Sequence, residues 1–397
     1  MKKQLIFFFT FVLLDSCIDE FTIAAPDALS QLVVDGRITD APGPYTVNLS
    51  RTKKLDDFIS PRFTVSAKSV AIFDKNGNSE VLSETSSGTY QTSPTGIRGI
   101  VGREYFLRIE TRDGKIYESI PEKINPSGTI DSVYYEFKKD VQLSGIAKYY
   151  FRIFIDSKVE PDGENYFLWK LTGTYRVTTS PELHILLQPE LLEPPPPPKK
   201  TPRPCSGFII DKRTGDLLKV GPCECCQCWA NLVDPNPNVS DNQIVANGQF
   251  KKIEVGVIPV EFWPFWDKTM VTVEQMSLSK STYSYWKTIR NQKVGATSLF
   301  QPAIGKATSN IFLKNGSEEV QGLFQASSIS KKIIFLTSRD IPLGAGVIPP
   351  PPVIPPRYVP TGAPPIYEEF LSEPFVIRES CLNAFKHSTT QQPPDWK

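Results

Sequence analysis

Besides Cys17, six cysteines carry the most reactive side chains of the chain: Cys205, Cys223, Cys225, Cys226, Cys228 and Cys381. Four of them crowd into residues 223–228. Four clustered thiolates could hold zinc or copper(I), both of which accept soft sulfur ligands. A Cys-x-x-Cys pair could also be a redox centre, but no thioredoxin-like βαβ pattern surrounds these residues. An even count in an oxidising compartment favours disulfides. Six cysteines allow 15 pairings, and the sequence does not choose among them. Cys225 to Cys226 is disfavoured, because neighbouring Cα atoms lie ~3.8 Å apart, below the usual bridge range.

The second candidate is aromatic. Phe262-Trp263-Pro264-Phe265-Trp266, with Tyr283, Tyr285 and Trp286, could stack a sugar or peptide, and Trp263 and Trp266 are the residues to test for exposure. Aromatics at this density also build cores. Catalytic motifs are scarce. His184 and His387 stand in unrelated contexts, and there is neither a Gly-x-Ser-x-Gly elbow nor a phosphate-binding Gly-x-x-x-x-Gly-Lys loop. Asp74-x-Asn76-x-Asn78 has calcium-loop spacing, but Gly77 is fourth rather than sixth and no glutamate is twelfth. No metal or cofactor is expected, and the chain is expected not to be an enzyme. A glycosidase with two separated acids would leave no motif, so an orphan hydrolase stays as a third reading.

The oxidising compartment follows from the first residues. Met1-Lys2-Lys3 precedes an apolar run from Leu5 to Leu14, too short to cross a bilayer core of ~30 Å. A basic start, a short apolar middle and a small residue before the cut make a secretory signal over residues 1–16. Leu14-Asp15-Ser16-Cys17 resembles a bacterial lipobox, with Asp15 where a small or apolar residue is usual. The resemblance implies that Cys17 is acylated and that residues 17–29 form a lipidated tether; two or three chains at ~0.8 kcal/mol per buried methylene anchor a protein stably. The alternative is an ordinary signal peptide with Cys17 as a thiol. Cys17-Ile-Asp19-Glu20 also resembles the acidic export tag of surface lipoproteins.

The chain carries 44 basic and 43 acidic side chains. Loss of residues 1–16 removes Lys2, Lys3 and Asp15 and leaves it neutral, with no summed field to draw nucleic acid or anionic lipid. At 397 residues, 40% of them apolar, it can fill two or three cores.

The elements that would position these residues are mostly strands. Tyr45, Val47 and Leu49 alternate with polar neighbours, as do Tyr105, Leu107 and Ile109. Asp113-Gly114 and Asp74-Lys-Asn-Gly77 punctuate such runs as hairpin turns. About seven short strands predict an N-terminal Ig-like β-sandwich over residues 30–125. A larger β-rich C-terminal domain follows over 126–397. Tyr149, Phe151, Ile153 and Ile155 alternate there, as do Phe167, Trp169 and Leu171, and further strands are expected at 250–260, 269–278, 310–314 and 331–337. One short helix is expected at 280–293, capped by Ser279, with Thr282, Tyr285, Trp286 and Ile289 on its buried face. Proline-rich loops, 189–204 and 342–365, should be stiff and extended.

Several segments resemble one family. Leu32-Val-Val-Asp-Gly-Arg-Ile-Thr-Asp40 with Pro42-Gly-Pro-Tyr-Thr-Val-Asn-Leu-Ser50, then Cys225-Cys-Gln-Cys228-Trp229, are the first. The helix Ser279–Lys287, Ser309-Asn-Ile311, Gly322-Leu-Phe-Gln-Ala-Ser327 and Pro393-Pro-Asp-Trp396 follow in order. They are similar to Bacteroidetes outer-membrane lipoproteins grouped as domain of unknown function 4249. In that family the last cysteine is often followed by a second, which Cys381-Leu-Asn-Ala lacks. The resemblance implies no known chemistry. Its genes often lie near TonB-dependent receptors, which implies a non-enzymatic accessory of such a receptor in nutrient capture, lipid-anchored on the outer membrane and exposed at the cell surface. The alternative is a structural or assembly protein of the envelope that binds other proteins.

Overall fold

The computed structural model describes residues 30–52, 63–141, 147–160, 165–186, 199–234, 236–240, 247–295, 305–343, 345 and 376–397. The segments expected to be a signal (1–16) and a tether (17–29), Cys17 among them, and most of both proline-rich tracts lie outside these residues. The fold is mostly β.

Alternation does its work first in the N-terminal sandwich. In strand Leu32–Thr39, Leu32, Val34 and Ile38 are buried while Asp35 and Arg37 face outward. It pairs antiparallel with Thr46–Arg51, and Thr89–Gln91 and Ser83–Ser86 extend that sheet. The opposing sheet contains Ala67–Asp74, Glu104–Thr111 and Ile116–Ser119. Val47, Leu49, Ile72, Leu107, Tyr117 and Phe324 meet in one core between the two. Both predicted hairpins form. Gly77 and Gly114 take φ of 102° and 83°, and the Asp74 N–H donates to Asn78 O at 2.7 Å. The hairpin reading of Asp74–Asn78 therefore holds.

The contiguous split into 30–125 and 126–397 needs correction. The chain returns to the sandwich near its far end. Ile311–Leu313 pairs antiparallel with Ile116–Ser119, and Gln321–Ser327 pairs in parallel with Leu32–Thr39. Local alternation marks a strand but not its partner, so this pairing had no local signal. Gly322 makes the close approach possible: at φ 87°, a Cβ there would sit 1.8 Å from Val34 O.

The second unit packs two sheets. Thr129–Val141, Ala147–Lys158 and Gln249–Pro259 form a three-stranded antiparallel sheet. The larger sheet runs Ile329–Thr337, Lys268–Leu278, Tyr166–Thr178, Gln227–Val233, Ser388–Thr389. Phe151, Ile153, Phe167, Trp169, Phe250 and Val271 fill the space between them. Only Ser328 separates Gln321–Ser327, in the sandwich, from Ile329–Thr337, in the larger sheet. One nearly continuous strand thus serves both units.

The expected helix forms as Lys280–Gly295, and the Thr282 N–H donates to Ser279 Oγ at 3.2 Å. Its buried face is shifted from expectation. Thr282 and Tyr283 are buried, whereas Tyr285, Trp286 and Ile289 are half-buried. Tyr283 stacks on Tyr166 with centroids 4.8 Å apart, because the strand Tyr166–Thr178 lies under that side of the helix. Among the described residues, short helices at Phe262–Trp266 and Cys381–Ala384 correct the expectation of a single helix. Pro264 fits the first turn, where its missing N–H has no intrahelical partner. The tract 189–204 also departs from expectation at its end, where Lys199–Lys200 pairs with Ile185–Leu186. These residues are not prolines and keep their N–H donors.

Candidate functional site

The six cysteines pair fully: Cys205 with Cys225, Cys223 with Cys226, and Cys228 with Cys381. Their Cα separations, 5.6, 5.7 and 5.9 Å, fall at the usual bridge distance. Adjacent Cys225 and Cys226 enter different bridges, so the first two loops interlock. Every one of these sulfurs is consumed, which leaves no thiolate among them for zinc or copper. No described group of three or more His, Cys, Asp or Glu side chains is placed to hold a metal.

Cys228 and Cys381 are wholly buried, in a small core with Tyr175, Val177 and Ala230. From there the C-terminal segment wraps the sheet. Phe385 packs edge-on against Trp263, Ser388–Thr389 adds an edge strand beside Trp229 and Ala230, and Trp396 then covers the opposite face. Trp396 meets Trp229 and Phe335 edge-to-face at 6.5 and 6.3 Å, and Lys268 Nζ lies 5.2 Å from the Trp396 ring centroid. Lys331 and Asp395 form an ion pair at 2.6 Å. Trp263 is half-buried and packs against that small core, while Trp266 is 69% exposed.

A different place gathers the segments singled out in the sequence. The helix Lys280–Gly295 lies where the sandwich meets the larger sheet, with a cleft on each side. Ser281, Ser284, Tyr285 and Thr288, spaced three and four apart, line one cleft of about 240 Å³ with Thr308 and Asn310. Trp286, Ile289 and Lys293, on the adjacent stripe, line the other, of about 270 Å³. Its remaining walls include Asp35 and Arg37 from the first strand, Leu168 and Lys170 from the larger sheet, and Asp234 from a loop. Leu323 borders both clefts.

Buried hydrogen bonds fix this junction. Trp286 Nε1 donates to Gln325 Oε1 at 3.0 Å, and Gln325 Nε2 donates to Ser327 Oγ at 2.7 Å. Ser327 Oγ donates in turn to Ser277 O at 2.6 Å. Asp40 accepts from Ser328 Oγ and from the Ile329 N–H, at 2.5 and 2.9 Å. Asn310 receives the Phe324 N–H and returns a bond to Phe324 O, and with Ser281 it donates to buried Glu122. Satisfied polar networks of this kind hold one arrangement of packed units. Burial, with the nearby Asp35 carboxylate adding to it, holds the Tyr285 phenol above its ordinary pKa.

The sequence had pointed to sulfurs and tryptophans; the cleft uses charges and amides instead. Asp35, Arg37, Asn310 and Gln325 lie within the motif segments quoted above, so those motifs held the signal, unassigned. Lys170 had none, being one polar residue in an alternating strand. The family model described as Domain of unknown function (DUF4249) matches residues 18–333. No curated protein and no solved structure matches the chain. The match reaches into both units and spans the junction between them, and the chain belongs to the family of the domain of unknown function DUF4249.

Proposed function

We propose that the chain is an outer-membrane lipoprotein, anchored through Cys17 and displayed at the cell surface, that binds a nutrient and hands it to a TonB-dependent receptor without chemistry of its own. One observation carries the binding role. Three segments distant in sequence, the first strand with Asp35 and Arg37, the helix with Trp286, and the return strand with Leu323 and Gln325, meet on one cleft. A site assembled from several elements and fixed by buried hydrogen bonds is preorganised, which lowers the entropic cost of binding. The receptor and the membrane enter by analogy with the family's gene setting and by the lipobox at Cys17. A lipid tether raises the effective concentration of the protein beside a membrane receptor. Tagged native protein, purified in mild detergent after in-cell crosslinking, should carry a TonB-dependent receptor in near-equal amount. Cys17→Ala should abolish fatty-acid labelling and that recovery together. Recovery of the native protein alone, or only with assembly factors, would replace this reading by a structural one.

A further inference from the structure

The cleft beside Trp286 has a chemistry that narrows its ligand. Its floor is apolar: Met276 and Leu323 are nearly buried, and Leu168 and Trp286 are half-buried. Its rim carries both signs of charge. Asp35 and Arg37 sit at i and i+2 on the outward face of one strand, about 7 Å apart along it. Lys170 comes from the larger sheet. None of these three forms an ion pair with another described residue, although ion pairs are frequent elsewhere on the surface. Asp35 also makes its field felt across the helix, at Tyr285.

We infer that this cleft takes a zwitterion with an apolar side chain, a free amino acid or a short peptide. The inference rests on the reading of the cleft as the binding site. A neutral sugar would lie against five charged side chains, those of Asp35, Arg37, Lys170, Asp234 and Lys293, without neutralising any of them. A simple anion would satisfy the cations and meet repulsion from Asp35 and Asp234. A zwitterion satisfies both signs: its ammonium goes to Asp35, its carboxylate to Arg37 and Lys170, and its side chain to the floor of Leu168, Met276 and Trp286. Unlike charges brought together in a partly desolvated cleft give specificity more than raw affinity. At about 270 Å³ the cavity is just below the usual range of small-molecule sites, which suits one to three residues.

The test uses the full-length mature protein in detergent micelles and titration calorimetry. The probes are leucine, Ala-Leu-Ala, the same peptide N-acetylated, the same peptide C-amidated, and maltose. Leucine or Ala-Leu-Ala should bind one to one, and the tighter of the two names the source. Acetylation and amidation should each weaken binding about tenfold, the effect of one charge-assisted hydrogen bond. Asp35→Asn should weaken the free peptide but not the acetylated one. Arg37→Gln or Lys170→Gln should weaken the free peptide but not the amidated one. All three side chains lie outside the cores, so unchanged thermal unfolding will show that the variants are folded. Equal binding of free and blocked peptides, binding of maltose alone, or no binding at millimolar concentration overturns the inference. Receptor co-purification is a separate readout. Peptide binding without the receptor sinks the partner proposal, and the receptor without peptide binding sinks the ligand.

Discussion

Removing the Cys228–Cys381 bridge should be the most damaging loss among the three disulfides, and its size can be worked out in advance. The paired residues are 153 apart in sequence. On the loop-entropy model, closing so long a loop in the unfolded chain stabilises the native state by about 5 kcal/mol; a loop of four residues gives only about 2 kcal/mol. The 20-residue separation of Cys205 and Cys225 falls between, at about 3 kcal/mol. The substitution should be Cys228→Ala with Cys381→Ala. Both positions are wholly buried, and serine would add unpaired hydroxyls to an apolar core. Without the bridge, the segment from Val376 to Lys397 still has its edge strand, the Lys331–Asp395 and Arg203–Glu379 ion pairs, backbone bonds from the Ser180 N–H to Ile377 O and from the Cys381 N–H to Cys225 O, and the packing of Phe385 and Trp396. Urea unfolding followed by tryptophan fluorescence, with Trp229 and Trp396 as reporters, gives the stability. Limited proteolysis gives the release of the tail. The same measurement on Cys223→Ala with Cys226→Ala supplies the internal comparison. A loss below about 1 kcal/mol at Cys228–Cys381, or a larger loss at Cys223–Cys226, would refute the loop argument. Native-state strain or residual structure in the unfolded chain would then govern these bridges.

Trp396→Ala should cost about 3–5 kcal/mol, as for other buried large aromatics, and should shift the emission of Trp229; a change below about 0.5 kcal/mol in urea melts would place Trp396 outside the core. Asn310→Ala leaves the buried Phe324 N–H and C=O without a partner and should cost roughly 2–4 kcal/mol by the same assay, a near-neutral result contradicting the junction as drawn. Gly322→Ala sets a methyl against Val34 O and should dislodge the return strand, read as rapid hydrogen exchange at Leu32–Thr39; unchanged protection would deny the parallel pairing. Burial would raise the Asp74 carboxyl pKa, but hydrogen bonds from the Asn76 N–H, Arg103 and Asn78 outweigh it and hold the pKa below the ordinary value. Its stabilisation is therefore present above about pH 4, the unfolded value, and is lost as pH falls through the folded one. Asp74→Asn should flatten that acid limb, and an unchanged profile between pH 5 and pH 2 would assign the limb to other carboxylates.

How far the sequence could be read depended on the range of the interaction. Strands such as Tyr105–Ile109 and the turns at Gly77 and Gly114 were legible, because alternation and positive φ are local properties. The helix was legible in position, but its face rotated because Tyr166 offered a ring for Tyr283, and nothing local reports what lies beneath. The partners of the six cysteines were hidden for the same reason. Cys228 meets Cys381 only once the tail has wrapped the sheet. The cleft escaped notice because unlike charges two residues apart look like an ordinary solvated strand face. Only the junction shows that Asp35 and Arg37 face a wall.

The return strand has a consequence for how the chain is made. Asp40 and Ser328, bonded across the junction, are 288 residues apart. At synthesis rates of about 5–20 residues per second, the first strand must wait roughly 15–60 s before Gln321–Ser327 exists to cover its edge. During that interval the nascent sandwich offers an unpaired backbone edge to any extended segment nearby, including another copy of itself. A chain held unfolded until its whole length has emerged avoids the exposure, and one that folds as it emerges meets it. Swapped dimers, with the return strand of one copy on the first strand of another, are the error that this topology invites under fast expression.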